Sequence, residues 1–338
     1  MGTKQQLLPP PDDLRAEIEQ SRSLGFVLYQ HDLASAIGTD VMRANVPAPK
    51  ELGIAGYLTH RDADDDGRVL DTWHVMFFSA GDSPHEICSV RVPMQDGATP
   101  VFTLSKPQTP VSDFERSLIR ARQTALAAIM PVSQPQNPVI LLGLSGGKPC
   151  IVVYMLAGTT RNDVVVLGQH HRVLVSLSGE TVVSVQPLSK SIIEVPLKSE
   201  VPPDLGPGWV DGPLFVTHLV TAWPLETHVF ASLLHRIPIV VGTSRGNWMV
   251  EGTQISLVPL PPPSSDPAPS TSKSPPPAPA PAPSASKSLP PAPAPAPSTS
   301  ESPTPPARPA LKASDTPPIA PTPRFNAILS RKPWWRFW

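Results

Sequence analysis

The chain's nine histidines and two cysteines are its best candidates for holding a metal ion or carrying a proton, and their spacing limits what they can do. His60 and His74 flank a polar turn, His170 adjoins His171, and His228 and His235 stand two turns apart on a helical stretch. No pair has a third ligand at a recognised spacing. A hairpin centred on Gly67 pairs His60 with His74 across its strands, which makes them structural neighbours before it makes them ligands. Cys88 and Cys150 lie in the apolar runs HEICSVRV and KPCIVVYML and read as buried free thiols, with no CxxC spacing for zinc.

The run from Asp62 to Gly67, DADDDG, resembles the start of a calcium loop, with alternate carboxylates and a glycine turn around a hard cation. The loop's twelfth position, where a bidentate glutamate belongs, is Trp73, with Asp71 able to substitute in an irregular loop. Asp62, Asp64 and Asp66 are therefore weak metal candidates, and the expectation is a solvated turn with no metal and no cofactor. The segment GLSGGKP from Gly143 misses the second glycine of a nucleophile elbow and the Walker spacing of a phosphate loop, so it reads as a hairpin turn. Glu226, Thr227 and His228 could serve acid/base chemistry from a helix, but exposed helix faces carry such residues routinely. No catalytic residue is assigned.

The segment 324–338, RFNAILSRKPWWRFW, is harder to explain as structure. It holds four cations, no acidic side chain and three of the chain's seven tryptophans in its last five residues. Tryptophan and arginine dominate binding hot spots, and tryptophan also favours bilayer interfaces. Phe325, Arg331, Lys332, Trp334, Trp335, Arg336, Phe337 and Trp338 are the residues expected to contact a protein partner or an anionic membrane surface.

What must position these groups is set by composition. Of 48 prolines, 25 fall between Pro259 and Pro323, in a stretch with almost no large apolar side chain. Such a stretch cannot bury enough surface to offset the entropy of ordering it, so 259–323 is expected to be a disordered linker. It repeats three times from residues 269, 283 and 297, a 14-residue period of Pro, Ala and Ser. Residues 1–258 remain as a globular region, one domain or two subdomains meeting near 131–138. That region carries 19 Lys and Arg against 25 Asp and Glu, whereas 259–338 carries 8 against 3. An acidic core argues against nucleic acid as its ligand, while the basic end could seek an anionic surface. The N-terminal residues turn acidic where a secretory signal would turn apolar, Gln6 breaks the myristoylation pattern, and no window approaches a membrane span. A cytoplasmic location, peripheral at a membrane if the peptide seeks lipid, is the expectation.

Hydrophobic periodicity predicts an α+β fold, predominantly an antiparallel meander, with about ten strands and three helices. The first helix spans Asp12 to Leu24 and ends at Gly25, and the stretch after it is ambiguous. GIAGYLTH from Gly53 and VLDTWHVMFFS from Val69 form a hairpin, followed by a strand over Glu86 to Val92. Ser112 and Glu115 form a capping box that opens a helix running to Pro131. Strands follow over Val139–Leu144, Cys150–Ala157, Val164–Leu167, Arg172–Leu177, Thr181–Val185 and Ile192–Val195, then a Pro/Gly loop from Pro202 to Pro213. A strand at Phe215–Val220, a helix with Pro224 as its first residue, and strands at Ile237–Val241 and Trp248–Val250 complete the region. Such a chain reads as a non-enzymatic adaptor or recruitment protein; the alternative is an enzyme of unrecognised type with the peptide as a localisation tag.

Overall fold

The computed structural model describes residues 7–63, 68–158, 161, 164–196 and 213–259. The expectations for the Asp64–Gly67 turn, for nearly all of the Pro202–Pro213 loop, and for the linker and terminal peptide lie outside these residues.

A short 3₁₀ turn at Asp12–Leu14 leads into α1, Arg15–Asn45. Gly25 therefore does not end the helix. A Cβ there would lie 2.5 Å from Val229 Cβ and 2.7 Å from Glu226 O, so this glycine serves close helix–helix approach. Gly38 allows a strand to approach as closely, since a Cβ there would lie 2.8 Å from Val75 Cβ. The buried stripe of α1 runs through Ile18, Ser21, Gly25, Leu28, Asp32, Ser35, Thr39 and Met42, in alternating steps of three and four. Two of its hydroxyls are satisfied locally, Ser35 Oγ donating to His31 O and Thr39 Oγ1 to Ser35 O, each at 2.8 Å.

The C-terminal half of α1 covers one face of a four-stranded antiparallel meander. Its strands are β1 (Ile54–Ala63), β2 (Val69–Ser79), β3 (His85–Pro93) and β4 (Val101–Pro110). Trp73, Val75 and Phe77 of β2 pack with Ile37 and Met42 of α1. Met76 and Phe78, pointing the other way by strand alternation, pack with Leu118, Ala121 and Ala125 of α2, Asp113–Ile129. The predicted capping box is present at the start of α2, with Ser112 as N-cap.

The predicted six-strand meander divides. β5 (Gln136–Ser145), β6 (Lys148–Ala157), β8 (His171–Val175) and β9 (Val182–Pro187) form one antiparallel sheet. β7 (Val164–Gly168) leaves it to pair with β10 (Ile192–Pro196), because both are apolar and pack towards the N-terminal end of α1 with Leu14 and Ile18. The last sheet contains β11 (Leu214–Thr217), β12 (Ile239–Thr243), β13 (Gly246–Glu251) and β14 (Gln254–Val258). Its β11–β12 pair is parallel, connected through α3, Glu226–His235. Leu225 is the N-cap of α3, so Pro224 precedes the helix instead of opening it. The fold is α+β, with three α-helices among the described residues and mostly antiparallel strands; β4 and β14 were not predicted. No helix among the described residues is long and apolar enough to cross a membrane.

Candidate functional site

His60 and His74 are directly opposite in the β1–β2 register, as a hairpin centred on Gly67 requires. They share the face of Met76 and Phe78, the one covered by α2, and the first turn of α2 brings Glu115 onto them. His74 Nδ1 lies 3.3 Å from His60 Nε2, and His60 Nε2 lies 3.5 Å from Glu115 Oε1. The rings meet edge to face with centroids 5.1 Å apart. Sequence spacing offered no third partner for this pair, and tertiary packing provides one.

Two of the three are anchored by their other polar atom. His60 Nδ1 donates to Arg61 O at 3.0 Å. Glu115 Oε2 accepts from Ser112 N at 3.0 Å and from Ser112 Oγ at 2.7 Å, which leaves Oε1 for the histidines. The neighbouring His60 ring, working against burial and helped by Ser112, brings the Glu115 carboxyl down to about 2. Burial opposes charge on His60, but Glu115, the Arg61 carbonyl and Asp62 outweigh it and raise its pKa. His74 is lowered by burial and by His60.

A second histidine group lies where β7, β11 and α3 meet. His170, His218 and His228 line a cavity of about 60 Å³, together with Lys190, Thr217 and Thr227. His170 Nδ1 accepts from Ala157 N at 2.9 Å, and His228 Nδ1 accepts from Leu225 N at 3.0 Å, capping α3. His218 Nε2 is 2.8 Å from Thr221 Oγ1. Burial pushes His170 and His218 down to about 4 and His228 to about 3, so all three are neutral near pH 7.

The helix face carrying Glu226, Thr227 and His228 is buried, not exposed as expected. Glu226 Oε1 accepts from Tyr154 OH at 3.0 Å and pairs with Arg172 Nη1 at 3.3 Å, and Arg172 also donates to Gln186. This ties α3 to the β6–β8–β9 sheet. A comparable chain crosses the middle of α1: Tyr57 OH donates to Asn137 Oδ1 at 2.9 Å, and Asn137 Nδ2 donates to Asp32. Burial, against that hydrogen bond, lifts Asp32 to about 7. Every carboxylate in these two chains has a donor, so both are structural braces.

Asp62, the one described carboxylate of the calcium-like run, pairs with Arg91 at 2.9 Å, and Asp71 pairs with Arg61 at 3.2 Å. Asp64 and Asp66 lie outside the described residues, as do Phe325, Arg331, Lys332, Trp334, Trp335, Arg336, Phe337 and Trp338. Both cysteines are buried and free, and burial pushes the Cys88 thiol up to about 12. No protein-family model, curated protein or solved structure matches the chain.

Proposed function

We propose that the protein is a non-enzymatic adaptor or recruitment protein, whose peptide 324–338 docks on a protein partner or an anionic membrane surface. The observation that carries this reading is the peptide's composition, with four cations, no acid and Trp334, Trp335 and Trp338 within five residues. Large aromatics beside cations gain free energy where they can be desolvated, in a partner's pocket or at the headgroup level of a bilayer. The Pro-rich segment before it links that contact to the folded domain and raises the effective concentration of one at the other's target. The domain acts in the cytoplasm, peripherally at a membrane if lipid is the target.

One feature of the domain supports a binding role. β9 pairs only with β8 among the described residues, and its six residues are all exposed, so it offers the open edge that partner chains use. An enzyme carrying the peptide as a localisation tag is the second reading, and the convergence of His170, His218 and His228 on one cavity favours it.

The test is a titration of peptide 324–338 against anionic and neutral vesicles at low and high salt, alongside Trp335→Ala and Arg336→Ala. A lipid target predicts salt-sensitive binding, with each cation contributing about 1 kcal/mol. A protein target predicts that one tryptophan dominates and salt matters less. Removal of 331–338 from the full chain is expected to release its co-purifying partners or change its location. If neither changes, the adaptor reading fails.

A further inference from the structure

We propose that His60, His74 and Glu115 form a binding site for a single divalent transition-metal ion of the zinc type, with a fourth coordination position open to water. This goes beyond the adaptor reading and does not depend on it. The three ligand atoms, His60 Nε2, His74 Nδ1 and Glu115 Oε1, all lie within 4.8 Å of one another. Zinc bonds to nitrogen and oxygen are about 2.0–2.1 Å, so tetrahedral angles set neighbouring ligand atoms roughly 3.4 Å apart. The two measured edges are 3.3 Å and 3.5 Å. An octahedral ion with the same bonds would need edges of roughly 3.0 Å, which favours the four-coordinate ion.

Proton accounting points the same way. The Arg61 carbonyl can only accept, so His60 Nδ1 carries a proton, and in the neutral ring Nε2 then presents a lone pair. That lone pair faces a carboxylate oxygen and the Nδ1 of a second imidazole. A cation at the centre satisfies all three. The outer contacts are those of ligating residues: one imidazole donates its far N–H to a backbone carbonyl, and the carboxylate's second oxygen is held by Ser112. Asp62 and Glu86 add negative charge felt at His74. The side chains of His60 and Glu115 are 24% and 17% exposed, enough for an ion to enter from solvent.

The rival arrangement puts a proton on His60 Nε2, leaving an imidazolium–carboxylate pair with no ion. Glu115→Gln separates the two, because glutamine keeps the capping box while removing the anionic ligand. The experiment titrates Co²⁺, then Zn²⁺, into the chelator-treated full chain and its Glu115→Gln, His74→Gln and His228→Gln variants. Visible absorption and calorimetry give the readouts, with thermal melting to confirm folding.

The expected result is one equivalent of Co²⁺ with a d–d band of tetrahedral intensity, displaced by Zn²⁺. Glu115→Gln and His74→Gln should each weaken binding by at least about tenfold, the lower bound even for outer-shell partners. His228→Gln should leave it unchanged. If His74→Gln fails to fold, Glu115→Gln carries the test alone. Absence of a saturable band in the parent chain overturns the proposal, and so does binding that survives Glu115→Gln or is lost in His228→Gln.

Discussion

The two histidine groups differ in what their ring nitrogens are already doing. In the cavity, His170 and His228 each spend Nδ1 on a backbone amide, and His218 spends Nε2 on Thr221. Those imidazoles are parts of the fold, and burial keeps them neutral. On the β1–β2 hairpin only His60 Nδ1 is committed to backbone, and His60 Nε2 and His74 Nδ1 converge with a carboxylate oxygen. Histidine count therefore says little about chemistry, whereas the partner of each nitrogen says a great deal. The more deeply buried group looks more like an active site and is the more structural of the two.

Acid offers the largest way to break this comparison. His31, His170, His218 and His228 are buried and lowered, by burial first, to about 3, 4, 4 and 3. An imidazole in the unfolded chain titrates near 6.5, so below that pH the unfolded state binds protons that the fold refuses, and stability falls as pH drops. Asp32 opposes this: raised to about 7, it is protonated in the fold and ionised in the unfolded chain from about pH 4 upward. The balance for these five groups is an uptake of roughly two to three protons on unfolding near pH 5.5, or roughly 3–4 kcal/mol per pH unit. Urea melts from pH 7 to 4.5 measure the slope. A flat profile would mean that the cavity histidines protonate in place, and the distinction between the groups would be lost.

Gly25→Ala gives a smaller effect confined to one side. The new methyl would meet Val229 Cβ and the Glu226 carbonyl, and a backbone oxygen cannot rotate away. The expected cost is about 1–3 kcal/mol, opposite in sign to the gain of about 1 kcal/mol that Gly→Ala brings to an unobstructed helix. A lower urea midpoint at unchanged slope reads it. Because α3 carries Glu226 and His228, their resonances should shift while those of His60 and His74 stay in place.

The same helices show what the sequence could reveal. α2 was legible because its start is signalled by Ser112 and Glu115 and its buried side by Leu118, Ala121 and Ala125. α1 was cut short because its buried stripe contains Ser21, Gly25, Asp32, Ser35 and Thr39, which carry no hydrophobic signal. β4 was missed for a related reason, since it is an edge strand holding Lys106 and Pro107, residues that such a position tolerates. At the candidate metal site, the His60–His74 register followed from the turn centre alone. Glu115 was legible only as a cap, because the destination of its second oxygen depends on α2 packing over β1 and β2.

That double use of Glu115 sets the smallest prediction, which separates its two oxygens. Ser112→Ala removes the hydroxyl that accepts from Glu115 N at 3.2 Å and donates to Oε2 at 2.7 Å, but leaves Oε1 and both histidines untouched. The expected loss is about 1 kcal/mol, the usual worth of a serine N-cap, seen as a fall in Tm of roughly 2–4 °C for a domain of this size. Glu115→Gln keeps the reciprocal cap, so its cost in metal-free protein isolates the contact from Oε1 to His60. A cost equal to or above that of Ser112→Ala would mean that an imidazolium–carboxylate pair holds α2 onto the hairpin. His60 would then be a brace like His228, and the contrast between the two groups would reduce to depth of burial.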